Sequence, residues 1–366
     1  MAHALDKYHI SRFVASRFLV TSHLSISILC IVTSAMISNV AASVLVTSMI
    51  GSKKTSSKRT LLTIAFACNF GGMILPIASP QNLIAIASLE GDHTITFFKW
   101  LSFSLPICVV GITSIYFVLK RSLFLVSSRD EEDIELSVGV GSKSSPPPSP
   151  RSSIQSGSLT KFTTRDQKFV AVVVIVTVFG WITFDWFFAN IFIHLGMWGI
   201  FCMSILFVFG YLDQQDWITG IPWHLVALLG GGLVLGEAVK TTVMTQPSFT
   251  LESTNRSSWE IFAFILLVIA IIANFLSSTV CSLVAMPIVA RIGAAVGHPE
   301  LYVMAAAMMT SGAMSLPVSS FPNANAAAVS HELSSRDFIR TGGPITIIVW
   351  LTLVTFGYFY GLVLGL

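Results

Sequence analysis

The segment Pro76-Ile77-Ala78-Ser79-Pro80-Gln81-Asn82 interrupts an apolar run that begins near Leu61 and resumes at Leu83. Proline removes a backbone donor and stops a helix, while serine, glutamine and asparagine set hydroxyl and amide groups beside the freed backbone. Inside a bilayer such polar backbone is tolerated only where protein or a water-filled cavity surrounds it. An interrupted helix offers two kinds of chemistry there. Its half-helix N-terminus favours an anion, and its carbonyls and hydroxyls replace the hydration shell of a hard cation such as Na+. The chain holds a second copy at a constant offset of 241 positions, with Pro76, Ser79 and Asn82 matched by Pro317, Ser320 and Asn323, and Gly71 by Gly312. Two further polar tips, Ser38-Asn39-Val40 and Ser277-Ser278-Thr279, precede the copies at similar separations: 43 residues from Asn39 to Asn82 and 45 from Ser278 to Asn323.

These four tips need helices to hold them. Of 366 residues, 54% are hydrophobic and 11% charged, with a mean hydropathy of +0.78, which demands several membrane-length apolar segments. Apolar stretches run over roughly 23–50, 60–89, 100–119, 168–188, 190–210, 220–239, 259–290, 299–330 and 342–366. All are read as helices, because an open sheet cannot cross a bilayer and the alternation of barrel strands is missing. The exception is 122–167, where Asp130-Glu131-Glu132-Asp133, Pro146-Pro147-Pro148-Ser149-Pro150 and many serines predict a disordered cytosolic tether. The expectation is an all-α polytopic membrane protein with a first repeat over 1–121, the linker over 122–167 and a second repeat over 168–366.

Orientation follows from the basic residues. Placing 1–22, 51–59, 120–168, 211–219 and 331–341 on the cytosolic side leaves only Lys99, Lys240, Arg256 and Arg291 of the 21 lysines and arginines elsewhere. That arrangement requires 23–50 and 259–290 each to enter and leave on one side, as re-entrant hairpins opening on opposite faces. The alternative is one tilted or kinked helix at each place. Matched halves with opposed hairpins are the pattern of an inverted-repeat transporter, whose site lies near the membrane midplane at the broken helices.

No lysine or arginine lies within any of the four tips, so an anion there would be held by hydroxyls, amides, helix ends and co-bound cations. The net charge of +3 is small and argues against nucleic acid as a partner. An intramembrane enzyme would need a nucleophile with its base or a metal pair, and neither H-E-x-x-H nor G-x-S-x-G occurs. Gly230-Gly231-Gly232 lacks the Lys-Ser/Thr of a phosphate loop and reads as helix packing. Asp185 and Glu237 fall near predicted helix ends, and His224 beside Trp223 suits an interfacial belt. Cys30, Cys68, Cys108, Cys202 and Cys281 sit in apolar segments without metal-ligand spacing and read as small buried hydrophobes. No cofactor is expected, and no metal beyond Na+.

Ile37-Ser38-Asn39-Val40-Ala41-Ala42, Ala67-Cys68-Asn69-Phe70-Gly71-Gly72-Met73, Ala78-Ser79-Pro80-Gln81-Asn82 and Leu316 through Asn323 resemble the divalent anion/sodium symporter family of the ion transporter superfamily. With Ala4-Leu5-Asp6-Lys7-Tyr8-His9-Ile10-Ser11 included, the likeness is greatest to its fungal SPX-type low-affinity phosphate branch and covers nearly the whole chain except the linker. The resemblance implies a secondary transporter of inorganic phosphate, coupled to Na+ or H+, in the vacuolar or plasma membrane. It also implies an elevator movement, in which a domain carrying both hairpins slides against a scaffold that forms a homodimer. Sulfate, citrate and dicarboxylates ask for similar donors and stay open as substrates. Carried over position by position, the resemblance assigns the anion to Ser38, Asn39, Ser79, Pro80, Ser278, Thr279 and Ser320. It assigns cations to Ser34, Ser38, Asn39 and the Ala78 carbonyl at the first tip, and to Ser277, Ser278 and the Ser319 carbonyl at the second. The chain departs from the family pattern in having Val40 for a hydroxyl residue, Ser278 for asparagine and Phe321 for proline. About 22 residues precede the first hairpin, where the family sets several scaffold helices and, in the phosphate branch, an SPX domain. The expectation is a form without them, and a non-transporting fragment that pairs with a full-length relative is the rival reading.

Overall fold

In a computed structural model of the chain the described residues are 4, 7, 8, 23–49, 57–89, 95–136, 164–183, 195–220, 227, 230, 231, 234, 257–330 and 333–366. Most of the helix expected over 220–239 lies outside them, as do Asp185, Trp223, His224, Gly232, Glu237 and residues 137–163 of the linker. In order, the chain forms α1 (His23–Met36), α2 (Asn39–Met49), α3 (Lys58–Ile74), α4 (Pro80–Ala87), α5 (Phe97–Leu136), α6 (Thr164–Ile182), α7 (Leu195–Val208) and α8 (Gln214–Gly220). The second half continues with α9 (Ser258–Phe275), α10 (Ser278–Val296), α11 (Pro299–Gly312), a 3-10 turn at Pro317–Ser319, α12 (Phe321–Val329), α13 (Ser335–Thr352), a π turn at Leu353–Gly357 and α14 (Tyr358–Val363). Among the described residues there is no strand. Four helical runs among the described residues are long and apolar enough to cross a membrane: Phe97–Arg121, Ser258–Phe275, Ser278–Val296 and Ser335–Val363. The backbone of α5 continues past Arg121 to Leu136, into the stretch that the sequence assigns to the linker.

Both expected hairpins are interrupted, not continuous. Arms α1 and α2 pack on each other across a break at Ile37 and Ser38, and α9 and α10 do so across Leu276 and Ser277. The described parts of the first pair of arms, 14 and 11 residues, extend about 20 Å at most. Local sequence sets the boundaries. Ser257 and Glu260 form a capping box at the start of α9, Ser334 and Asp337 form one at α13, and Pro80, Pro299 and Pro322 stand in the first turns of α4, α11 and α12.

The two broken helices form the centre. Every residue of α11 is buried, as is α3 from Thr60 to Met73. Outer helices turn apolar side chains outward, including Phe264, Ile271, Phe275, Val284, Ile347 and Phe359, as a lipid-facing surface requires. Small residues let the hairpin approach: a Cβ at Gly71 would lie 2.6 Å from the Ile31 carbonyl oxygen and 2.7 Å from Ser34 Cβ, so glycine is needed there. A smaller cluster joins Ala4 and Tyr8 to Val170, Trp198, Cys202 and Leu212, and Lys7 pairs with Asp216.

The repeats run in opposite directions. Helix α5 lies antiparallel to α3, since Trp100 bonds to Met73 at one end while Tyr116 and Leu119 line a small cavity with Arg59 and Thr63 at the other. Helix α13 with α14 lies antiparallel to α11 in the same way, with Gly312 against Val349 and Gly361 against Leu301. Lys58, at the start of α3, pairs with Asp337 of α13 at 3.4 Å, and Lys99, at the start of α5, pairs with Glu300 of α11 at 2.9 Å. Each ion pair therefore marks one face, and the two broken helices start on opposite faces. Single cysteines at Lys58 and Asp337 are expected to react with a membrane-impermeant maleimide from one side only, and those at Lys99 and Glu300 from the other. The described native cysteines are buried and give little background; labelling of all four positions from one side would rule the inversion out.

Candidate functional site at the helix breaks

A break frees the carbonyls of the turn before it, and these must find donors. At the first break, Trp100 Nε1 donates to the Met73 carbonyl at 2.9 Å, Ser104 Oγ to Ile74 at 2.8 Å and Cys108 Sγ to Phe70 at 3.3 Å. From the far side of the gap, Asn82 Nδ2 donates to the Gly72 and Leu75 carbonyls at 2.8 and 2.9 Å, and Ser79 Oγ to Gly72 at 2.9 Å. The second break repeats the plan. Asn323 Nδ2 donates to the Met314 and Leu316 carbonyls at 3.3 and 3.0 Å and to Ser319 Oγ at 3.1 Å. Thr346 Oγ1 donates to Gly312 at 3.1 Å and accepts from Met314 N at 3.0 Å, while Asn274 Oδ1 accepts from Ser315 N at 2.7 Å. The bonds Asn82 to Leu75 and Asn323 to Leu316 are the same bond at the same offset. Ser79 and Ser320 share one extended backbone, with φ −151° and ψ 150° or 157°. Many of the carbonyls that the sequence leaves open are thus filled, because each buried orphan would carry a desolvation cost of about 1–3 kcal/mol.

The tips are drawn to these breaks. Asn39 lies against Gly72, where an added Cβ would stand 3.0 Å from Asn39 Cβ, and Ser34 Oγ donates to the Cys68 carbonyl at 2.6 Å. Ala35 and Ala78 share an apolar cluster with Leu75 and Phe97. Asn274, three positions before the second tip, holds the second break. The halves then cross over. Asn69 Nδ2 of α3 donates to Ser320 Oγ at 2.9 Å and to Asn323 Oδ1 at 3.2 Å, and Gln81 Nε2 of α4 donates to Ser311 Oγ of α11 at 2.6 Å. Correspondingly, α4 packs on α10 and α11, and α12 packs on α2 and α3.

Of the residues assigned from sequence, Ser34, Asn39, Ala78, Ser79, Ser278, Ser319 and Ser320 are buried; Ser38, Pro80 and Thr279 are half-buried and Ser277 is exposed. Among the described residues no hydrogen bond joins the side chains of Ser277, Ser278 or Thr279 to the other three tips. Their helix is held instead through Ser282 Oγ, 3.2 Å from Thr310 Oγ1. Residues given no ligand role from sequence take central places here: Asn69, Gln81, Asn82, Asn274 and Asn323. Asn69 carries a readable signal, an amide inside the apolar run from Leu61 to Ile74.

The amide oxygens of Asn39, Asn69, Gln81 and Asn82 are buried without a hydrogen-bond partner, in residues at most 4% exposed. Every side chain in this network is neutral, and the described residues hold no group of three or more His, Cys, Asp or Glu able to bind a metal. Neutral oxygens in a dry surround suit a hard monovalent cation, and hydroxyls at half-helix N-termini suit an anion.

The family profile described as citrate transporter matches residues 4–247. An uncharacterized transporter of Schizosaccharomyces pombe is 30% identical over 311 residues, which are 82% of this chain and 33% of that protein. The low-affinity phosphate transporter PHO90 of Saccharomyces cerevisiae is 26% identical over 309 residues, 81% of this chain and 32% of that one. The sodium-dependent dicarboxylate transporter SdcS of Staphylococcus saprophyticus is 25% identical over 284 residues, 72% of this chain and 51% of that one. The chain spans about a third of the length of the two yeast relatives.

Replacing Asn82 or Asn323 with alanine strips two carbonyls of a donor in each case. Each variant is expected to lose about 2–4 kcal/mol of stability, read as a lower thermal midpoint in detergent, with the two losses similar. A loss at one position alone would mean that the breaks are not equivalent.

Proposed function

Given that this chain belongs to the citrate transporter family, we propose that it carries the transport unit of a secondary active transporter of inorganic phosphate coupled to Na+. The observation behind this reading is the meeting of polar interruptions from both repeats within one apolar body, where the described residues bring together neutral hydroxyls, amides and helix ends. A phosphate dianion bound beside Na+ needs no buried arginine, and the weaker grip favours release. The partnerless amide oxygens of Asn39, Asn69, Gln81 and Asn82 are the ligand type that replaces the hydration shell of Na+.

Phosphate is preferred because the likeness to PHO90 extends over 81% of this chain. The likeness to SdcS, over 72%, supports a dicarboxylate as the second reading. In the first reading Ser38, Asn39, Ser79, Pro80, Ser278, Thr279 and Ser320 contact the anion. Ser34, Ser38, Asn39 and Ala78, with Ser277, Ser278 and Ser319, hold cations. The hairpin-bearing unit moves as an elevator against a homodimeric scaffold.

Labelled phosphate uptake into proteoliposomes tests this. Flux is expected with an inward Na+ gradient and is expected to vanish without one. Asn39→Leu is expected to abolish uptake while membrane insertion stays intact. Succinate uptake in place of phosphate uptake would select the dicarboxylate reading, and uptake unchanged in Asn39→Leu would remove that residue from the site.

A further inference from the structure

The four tip serines open four helices at equivalent positions, yet their hydroxyls differ in polarity. Ser38 Oγ accepts from Ala41 N at 3.2 Å, Ser277 Oγ from Val280 N at 3.4 Å and Ser320 Oγ from Asn323 N at 3.4 Å. Each is an N-cap oxygen receiving the amide three residues on, so its own proton is left for something else. Ser79 breaks the pattern. The amide of Asn82 goes to the Ser79 backbone carbonyl at 3.2 Å, and Ser79 Oγ turns to donate its proton to the Gly72 carbonyl. A carbonyl can only accept, so this assignment is unambiguous, and Ser79 offers a ligand lone pairs alone.

The opposite polarity of Ser320 is locked by its neighbours. Asn323 directs Nδ2 at two carbonyls and the Ser319 hydroxyl, which turns its Oδ1 toward Asn69. Asn69 must then present Nδ2 to both Asn323 Oδ1 and Ser320 Oγ. The Ser320 oxygen takes two donors, and its proton has no acceptor among the described residues. The repeat offset explains the asymmetry: Ser319, which helps orient Asn323, is matched by Ala78 at the first break, so no second hydroxyl supports Asn82 and Ser79 takes the Gly72 carbonyl instead. The two serines bracket a single turn of α3, Ser320 at Asn69 and Ser79 at Gly72, about 5 Å apart along the axis.

The geometry points to a site matched in polarity to a protonated oxyanion, with Ser38 and Ser320 as donors and Ser79 as the acceptor that reads its hydroxyl. This rests on the phosphate reading above. Near neutral pH, hydrogen phosphate has bare oxygens to meet the two donors and one P–OH to meet the acceptor. Sulfate has four bare oxygens and sets one of them against the Ser79 lone pairs. Ser79 is thereby a specificity-determining residue, and Asn69 a positioning residue acting through Ser320.

Equilibrium dialysis of the full chain in lipid nanodiscs with radiolabelled phosphate, competed by arsenate, sulfate and succinate, tests the assignment. Arsenate is expected to compete as phosphate does, and sulfate about tenfold more weakly or worse. Ser79→Ala is expected to bring phosphate affinity down to the sulfate value, while Ser79→Thr keeps the discrimination. Ser320→Ala is expected to weaken phosphate and sulfate by a similar factor and so preserve their ratio. Sulfate binding as tightly as phosphate in the unaltered chain, or a ratio unmoved in Ser79→Ala, overturns the polarity match and leaves phosphate as the substrate. Succinate binding without either oxyanion, or no phosphate binding at all, overturns both.

Discussion

A helix broken inside an apolar body must satisfy its own severed backbone, and the rest of this architecture follows from that constraint. Water is not at hand to take the freed carbonyls, so the chain supplies donors from its own neighbours. At each break an asparagine three residues into the following half-helix reaches back across the gap, and an antiparallel helix adds a side-chain donor from behind: Trp100 and Ser104 on α5, Thr346 on α13. The outer helices are therefore more than lipid-facing walls. They hold open two gaps that would otherwise close into continuous helix or collapse.

The same constraint explains the interlocking of the halves. Helices α4 and α12 are only 8 and 9 residues long, too short to be stable on their own, and each gains its packing by docking on the opposite repeat. Asn69 and Gln81 tie the exchange with buried hydrogen bonds to Ser320 and Ser311. Polar bonds of this kind fix register and geometry where apolar contacts alone would leave several packings open. Ion pairs at Lys58 with Asp337 and at Lys99 with Glu300 place charge at the two faces, and the interior network is neutral. A site without fixed charge can hold an ion with its counterions and still let it go.

Internal symmetry is close in backbone and incomplete in side chains, and the proposed function uses both. The equal dihedral angles of Ser79 and Ser320 come from a shared plan of extended residue, half-helix and back-reaching asparagine. The unequal hydroxyl roles come from single differences such as Ala78 against Ser319. Duplication supplies two similar helix breaks, and divergence at single positions gives them different hydrogen-bond polarity.

By itself the sequence determined the solvent, the helical class, the repeat and the positions of all four interruptions. These depend on local chemistry: hydropathy summed over a segment, proline without a donor, and a Pro/Ser/Asn spacing that recurs 241 residues later. It also marked Ser79, Asn39 and Ser320 as polar tips. Only the tertiary structure decided which carbonyls stay open, because their donors come from Trp100, Ser104 and Thr346 on other helices. It alone placed Asn69 and Gln81 between the repeats, since partners 251 and 230 positions away leave no periodic trace. Hydroxyl polarity was likewise invisible in the chain, where a serine is donor and acceptor at once until its neighbours choose.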